Sequence, residues 1–190
     1  MSKTELRVKI YPAQDAFIFS TKAYSLFIGG TGSGKTFSGA LKTATRFDGP
    51  AQTGIVIAPT FPMLRDATLR TCLDLWRPWF VEMIRTEMIM KLHNGHEVLF
   101  RSATDSDKLR GPNLHWGWVD EAAMCDRLTL EVVLARLRAG GVRGPLWLTT
   151  TPRGKGKPGK PQWVYELVQS GTFEVVYAST RDNPFLPPDY

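Results

Sequence analysis

Two short stretches carry the residue types that phosphoryl chemistry needs. The first is Gly29-Gly30-Thr31-Gly32-Ser33-Gly34-Lys35-Thr36, which satisfies the spacing G-x-x-x-x-G-K-[ST]. Glycines at this density let successive backbone N–H groups converge on one anion. A helix starting at Lys35 would add the positive end of its dipole. Lys35 can then reach the β- and γ-phosphates of a nucleotide, and the Thr36 hydroxyl can ligate Mg²⁺. On this reading Gly30, Thr31, Gly32, Ser33, Gly34, Lys35 and Thr36 hold the phosphates of ATP. The second stretch is Trp116-Gly117-Trp118-Val119-Asp120-Glu121. Asp120, at the end of an apolar run, suits the metal shell, and Glu121 suits the orientation and deprotonation of water. An Asp-Glu pair that merely opens a helix is the plainer alternative; the glycine loop upstream favours the catalytic one. The doublet also favours hydrolysis over transfer to a small-molecule hydroxyl, which has no need of a water-orienting glutamate.

Further polar groups flank these stretches. Gln14 precedes the glycine loop; its carboxamide could read adenine through paired donor and acceptor bonds, or be an ordinary surface amide. Thr149, Thr150 and Thr151 end a strand-like run and could sense the γ-phosphate, or be β-branched strand residues. Arg136, Arg138 and Arg143 precede that run. One of them, donated to a neighbouring copy, could stabilise charge on the transferred phosphoryl group, which requires a ring with heterologous interfaces; each singly could also be a solvated surface residue. Arg153, Lys155, Lys157 and Lys160 alternate with glycine and proline, a composition suited to a phosphate backbone or to a solvated loop. Arg101 and Arg110 flank a loop that feeds the Asp120 strand. His93 and His96 straddle a turn, lack metal-ligand spacing and read as surface residues. The six tryptophans read as core and partner-facing surface. Cys72 and Cys125 read as reduced residues that form neither a disulfide nor a metal site.

Such groups need strands that end where the loops begin. Residues 24–28 form an apolar run stopped by Gly29-Gly30, and 35–46 read as a helix. Residues 54–58 are a buried strand closed by Pro59. Residues 61–81 read as helical with a break near Pro78. Residues 87–92 and 97–101 flank Asn94-Gly95, a hairpin signal. Strands follow at 115–119, 145–149 and 172–177, with helices at 128–138 and 162–169. This alternation predicts an α/β fold with a mainly parallel central sheet flanked by helices, the hairpin being a local antiparallel addition. Residues 1–180 read as one domain. Residues 181–190, with three prolines after position 182, read as a connector toward a further region.

At 190 residues the chain can bury one sizeable core. Its 43% apolar and 22% charged residues are ordinary for a globular protein. No apolar run is long enough to cross a bilayer, and no signal-like apolar core opens the chain, so no membrane partner is expected. The net charge of +6 favours a polyanionic partner such as nucleic acid, or simply aids solubility.

In order along the chain stand YPAQDAF, FIGGTGSGKT, VIAPTFPMLRD, SATDSDKLRGPNLHWGWVDEAA, LTTTPRGKG and STRDNPFLP. With these the whole chain resembles the N-terminal ATPase domain of the large terminase subunit, the DNA-packaging motor of tailed phages. The glycine loop belongs to a vast class; LRG…DEAA joined to TTTP and DNP is far more specific. The resemblance implies a P-loop NTPase of the additional-strand type, as in RecA and helicases, that hydrolyses ATP with Mg²⁺ to drive double-stranded DNA into a procapsid. It implies Gln14 as the adenine contact, Lys35 and Thr36 as the phosphate-loop pair, and Asp120 and Glu121 as the acidic pair. Residues 149–151 become the segment that couples hydrolysis to movement, and Arg138, then Arg136, the arginine acting in trans. The implied partners are double-stranded DNA, other copies in a ring, the procapsid portal and the small terminase subunit. The implied setting is the cytoplasm of the infected bacterium, not the mature virion. Two departures stand out. Many relatives carry arginine at the position of Thr31, so an arginine acting from within the loop is missing. The lid subdomain and nuclease domain of such proteins have no counterpart in these 190 residues, so DNA cleavage is not expected of them. Two alternatives are a helicase-like translocase on single strands, which needs a second RecA-like domain, and a nucleotide-dependent assembly or DNA-binding module with little turnover.

Overall fold

Apolar side chains alternate along the strands so that each strand feeds two cores, one on each face of a sheet. In the computed structural model, which describes residues 6–105, 109, 111, 113–157 and 160–187, the sheet has eight strands. The elements are α1 (Pro12–Ile18), β1 (Tyr24–Gly29), α2 (Lys35–Ala44), β2 (Thr53–Ala58) and a helical stretch of α3 (Phe61–Met63), a π turn (Leu64–Thr68) and α4 (Leu69–Leu75). They continue with β3 (Phe80–Ile84), β4 (Ile89–Leu92), β5 (Glu97–Ser102), β6 (Trp116–Val119), α5 (Arg127–Arg136), β7 (Leu146–Thr150), the short β8 (Gly156–Lys157) and β9 (Lys160–Pro161), α6 (Trp163–Ser170) and β10 (Glu174–Ala178).

The order across the sheet is β10-β1-β7-β6-β2-β5-β4-β3. The first six strands are parallel, and β4 and β3 add antiparallel at the edge. One strand, β7, lies between β1 and β6; its register runs from Tyr24↔Leu146 to Ile28↔Thr150. Because the six run the same way, Gly29, Ala58, Val119 and Thr150 end on one edge, where open α/β sheets bind ligands.

Phe27 on β1 and Val56 on β2 pack with Leu41 of α2 and Leu64 on one face. Their neighbours Leu26, Ile28, Ile55 and Ile57 pack with Leu130 and Val133 of α5 and Val164 of α6 on the other. Trp116 and Trp147 stack with ring centroids 5.4 Å apart beneath the first face. Gly39 lets α2 lie on this layer: a Cβ there would overlap the Trp118 indole.

The structure departs from the sequence expectations at several points. The helix expected over 61–81 ends at Leu75, and Phe80–Ile84 is an edge strand. The hairpin is not a separate decoration: β5 pairs in parallel with β2 and belongs to the central sheet. Helix α1 was not expected; with proline at N1 and seven residues it is too short to show a helical period in the sequence. The helix expected over 128–138 ends at Arg136, so Arg138 lies beyond it. His96 is not a surface residue: it is 1% exposed, and its Nδ1 accepts from the Gln52 N–H at 3.2 Å. Cys72 and Cys125 are free and buried, and burial pushes the Cys125 thiol up to about 12.

Candidate nucleotide site

The glycine loop joins β1 to α2 at the ligand-binding edge. Gly32 and Gly34 have φ of 76° and 74°, the left-handed region that glycine enters without cost. Three successive carbonyls of the loop are each held by one side chain. Thr180 Oγ1 donates to Thr31 O at 2.7 Å, Asn183 Nδ2 to Gly32 O at 2.7 Å and the Tyr11 hydroxyl to Ser33 O at 2.6 Å. In a trans peptide the N–H points opposite to the carbonyl. Tethering these oxygens therefore turns the N–H groups of Gly32 and Gly34 the other way, as a phosphate cradle requires. Burial, with Asp182 nearby, pushes the Tyr11 phenol up to about 12, so it remains a donor at neutral pH.

Asp120 follows the last residue of β6 and is buried. Its Oδ2 accepts from Thr36 Oγ1 at 3.0 Å and Thr68 Oγ1 at 2.8 Å; its Oδ1 accepts from Thr149 Oγ1 at 2.7 Å and the Glu121 N–H at 3.1 Å. Burial raises its pKa, and the threonine hydroxyls work against that rise by favouring the carboxylate. Thr68 was invisible in the sequence. It stands at the end of the π turn, the kind of helical irregularity that recurs at functional sites.

Glu121 has φ 47° and ψ 43°, an uncommon setting for a residue with a Cβ. The turn brings its carboxylate to Lys35, Nζ to Oε1 at 3.2 Å. The Thr151 N–H donates to Oε2 at 3.2 Å and Thr151 Oγ1 to Oε1 at 3.3 Å. Backbone strain of about 1–3 kcal/mol persists where surrounding contacts over-determine it, and these three bonds do so here. Lys35 Nζ also lies 3.5 Å from Gly30 O.

The other expected residues fall into two groups. Thr149 and Thr150 sit in the site: Thr149 links the Trp118 indole N–H, at 2.8 Å, to Asp120, and Thr150 Oγ1 accepts from the Ala123 N–H at 3.0 Å. Gln14 is buried, not a surface amide. Its Oε1 accepts from the Tyr11 N–H at 3.3 Å, and its amide nitrogen lies against Gly34, leaving no room there for a Cβ. Arg136, Arg138 and Arg143 are elsewhere. Arg136 O accepts from the Leu114 N–H and Arg138 Nε donates to Asn113, beside the starts of β6 and β7 at the opposite edge of the sheet. They cannot serve the site of their own chain. Arg110 lies outside the described residues.

Thr36 and Asp120 offer hard oxygens within hydrogen-bond distance of each other, a donor set that fits Mg²⁺. Among the described residues no cluster of three or more His, Cys, Asp or Glu could hold a metal by itself.

A phosphate loop at the end of β1, an acidic pair at the end of β6 and β7 inserted between them define an additional-strand P-loop NTPase fold. The family of phage terminase large subunits matches residues 21–190, and the chain belongs to that family. The PBSX phage terminase large subunit of Bacillus subtilis (strain 168) is 24% identical over 210 residues, covering 96% of this chain and 47% of that protein. The chain thus spans about half the length of that relative. The ATPase domain of the large terminase of Thermus phage P74-26 superposes with a TM-score of 0.66 at 23% identity, over 90% of this chain and 81% of that one. A large terminase of a thermophilic bacteriophage, solved with ADP, superposes with a TM-score of 0.78 at 18% identity, over 95% and 48%.

Proposed function

We propose that this chain is the ATP-hydrolysing motor domain of a phage large terminase, which powers translocation of double-stranded DNA into a procapsid. The observation that carries the reading is the join between the two motifs: Thr36 on Asp120 and Lys35 on Glu121. It is supported by the solved relative that holds ADP at the same fold.

In this reading residues 30–36 hold the triphosphate, with the N–H groups of Gly32 and Gly34 turned toward it, and Lys35 pairs with its terminal oxygens. Thr36 and Asp120 would hold Mg²⁺, which when bound neutralises charge on the β- and γ-phosphate oxygens. Glu121 orients the attacking water and takes its proton. Gln14 supports the loop at Gly34 and is the candidate adenine contact. Loss of the γ-phosphate frees Lys35 and changes its pairing with Glu121, and Thr151 passes that change to the segment after β7. An arginine of a neighbouring copy, Arg138 or Arg136, adds positive charge at the transferred phosphoryl group. Their place at the opposite edge of the sheet suits a head-to-tail ring. The portal and the small terminase subunit are the partners such a ring would engage, in the host cytoplasm.

The test is steady-state Mg-ATP hydrolysis against protein concentration. Turnover should rise faster than linearly and vanish in Glu121→Gln. Linear turnover removes the trans arginine. ATP binding with no turnover at any concentration favours a nucleotide-binding assembly module.

A further inference from the structure

We propose that Thr68, delivered by the π turn, is the positioning residue for the Asp120 carboxylate, and that it sets how well Asp120 serves a cation held with the nucleotide. The inference rests on the hydrolase reading above. It adds a residue that belongs to neither the phosphate loop nor the acidic doublet.

The first observation is the spacing of the buried positions. From 61 to 76 they are Leu64, Thr68, Leu69, Cys72, Leu75 and Trp76. In a regular α-helix the core face that holds Leu64 continues at position 68, and position 69 is turned away by about 100°. Here 68 and 69 both face inward. The Leu69 N–H reaches back five residues to Leu64 O, and this wider turn accommodates one extra residue. Leu69 thus stays in the core with Cys72 and Leu75, while Thr68 is also buried.

The second is where the hydroxyl goes. A serine or threonine inside a helix can bond the carbonyl four residues back. Ser38, Thr43 and Thr71 do so in this chain, at 2.9, 2.9 and 3.0 Å. Thr68 does not. Its Oγ1 leaves the helix and donates to Asp120 Oδ2 at 2.8 Å, across 52 residues of sequence. A buried hydroxyl without a partner is costly, so the turn and the bond depend on each other.

The third is how the carboxylate is gripped. Strand β6, which leads to Asp120, lies between β7 and β2. Thr149 on β7 holds Oδ1 at 2.7 Å, and Thr68, in the helical stretch that follows β2, holds Oδ2. Thr36 also donates to Oδ2, at 3.0 Å, but it belongs to the phosphate loop and would itself serve the cation. With the Thr36 hydroxyl turned to a cation, Thr68 is the hydroxyl that still holds Oδ2. A carboxylate held on both oxygens cannot swing, so its free lone pairs keep one direction. Preorganisation of this kind is what a supporting residue contributes to a metal ligand.

The experiment measures the affinity of the 190-residue chain for a fluorescent ADP analogue, once with Mg²⁺ and once with EDTA, beside the Mg²⁺ concentration for half-maximal ATP hydrolysis. Thr68→Val keeps the shape and removes the hydroxyl. Its affinity in EDTA should match that of the unsubstituted chain. The gain in affinity on adding Mg²⁺ should shrink about tenfold, the lower end of what one hydrogen bond to a charged group contributes. The half-maximal Mg²⁺ should rise by a similar factor, and Thr68→Ser should restore both. Thr68→Ala makes the same comparison if the valine variant does not fold. Affinities that fall equally in Mg²⁺ and EDTA assign Thr68 to packing alone and overturn the proposal. So does a Mg²⁺ gain that loss of the hydroxyl leaves unchanged, or a serine variant that behaves like valine. An unsubstituted chain that hydrolyses ATP, yet binds the analogue no better with Mg²⁺, overturns the role of Thr68 and spares the hydrolase reading. A chain that neither binds the analogue nor hydrolyses ATP sinks that reading and the proposal with it.

Discussion

Lys35 and Glu121 form an ion pair, Nζ to Oε1 at 3.2 Å, that joins the phosphate loop to the acidic doublet. The ammonium that should grip the γ-phosphate is thus shared with the carboxylate that should activate water. A phosphate oxygen arriving at Lys35 competes with Glu121 and releases it toward the nucleophile. Glu121→Gln removes the charge while keeping the shape. We expect ATP turnover to fall by roughly 10²–10⁴-fold, the usual weight of a general base. Nucleotide affinity should hold or tighten, because Lys35 loses its competitor. Single-turnover hydrolysis and equilibrium binding check both; turnover within a few fold of the unsubstituted chain would remove Glu121 from the chemistry.

The tethers on the loop carbonyls predict an effect on binding. Thr180→Val removes the bond to Thr31 O, and Asn183→Ala the bond to Gly32 O. Each bond is worth about 0.5–1.5 kcal/mol, so each variant should raise KM for ATP about two- to tenfold with little change in kcat. Thr180→Ser keeps the hydroxyl and should restore the KM. A fall in kcat at constant KM would mean that the segment acts after binding.

The chemistry-bearing residues were legible because their spacing is fixed by backbone geometry. A phosphate cradle needs glycine where φ is positive, and Gly32 and Gly34 meet that need. The strand count of the sheet was legible for the buried apolar runs, but not for Phe80–Ile84. None of its residues is buried, and next to a proline-broken helix Glu82 interrupts the apolar run that would mark a central strand. Thr68 could not be read at all, and Gln14 could be read as a candidate adenine contact but not as a buried support of the loop, because what they touch lies 52 and 20 residues away and depends on the fold. His96 misled for the same reason: beside Asn94-Gly95 it looks like a turn residue, yet it is buried against Phe47 and bonded to the Gln52 N–H.

Lys42 predicts a pH dependence. Its ammonium is buried and donates to the carbonyls of Phe17 at 2.8 Å, Ile18 at 3.3 Å and Ser20 at 3.0 Å, pinning the end of α1 to α2. Burial pushes its pKa down to about 8; Glu174 opposes the shift and Arg46 adds to it. In the unfolded chain a lysine titrates near ~10.4. Between those values the unfolded chain carries a proton that the folded chain has shed, so this group makes stability rise with pH across that window. Below about 8 both states are protonated and its contribution is flat. Urea melts from neutral pH to pH ~10 should show the rise, and Lys42→Met should abolish it. A slope unchanged by the substitution assigns it to another group.

Gly39 sets two effects of opposite sign against each other. Inside α2, glycine to alanine gains about 1 kcal/mol of helix propensity. Against that, the new Cβ overlaps the Trp118 indole, which is fully buried and cannot turn aside. Overpacking of this kind costs about 1–3 kcal/mol and sometimes more, so Gly39→Ala should lower the melting temperature. The effect should not stop at stability. Trp118 Nε1 donates to Thr149 Oγ1, which donates to Asp120 Oδ1 at 2.7 Å, so a displaced indole drags on the carboxylate that should hold the cation. Gly39→Ala should therefore need more Mg²⁺ for half-maximal hydrolysis, and Thr149→Val should reproduce that shift with a smaller loss of stability. A Gly39→Ala protein with unchanged melting and unchanged Mg²⁺ requirement would mean that α2 slides away from the sheet at no cost, and that the indole does not position Asp120.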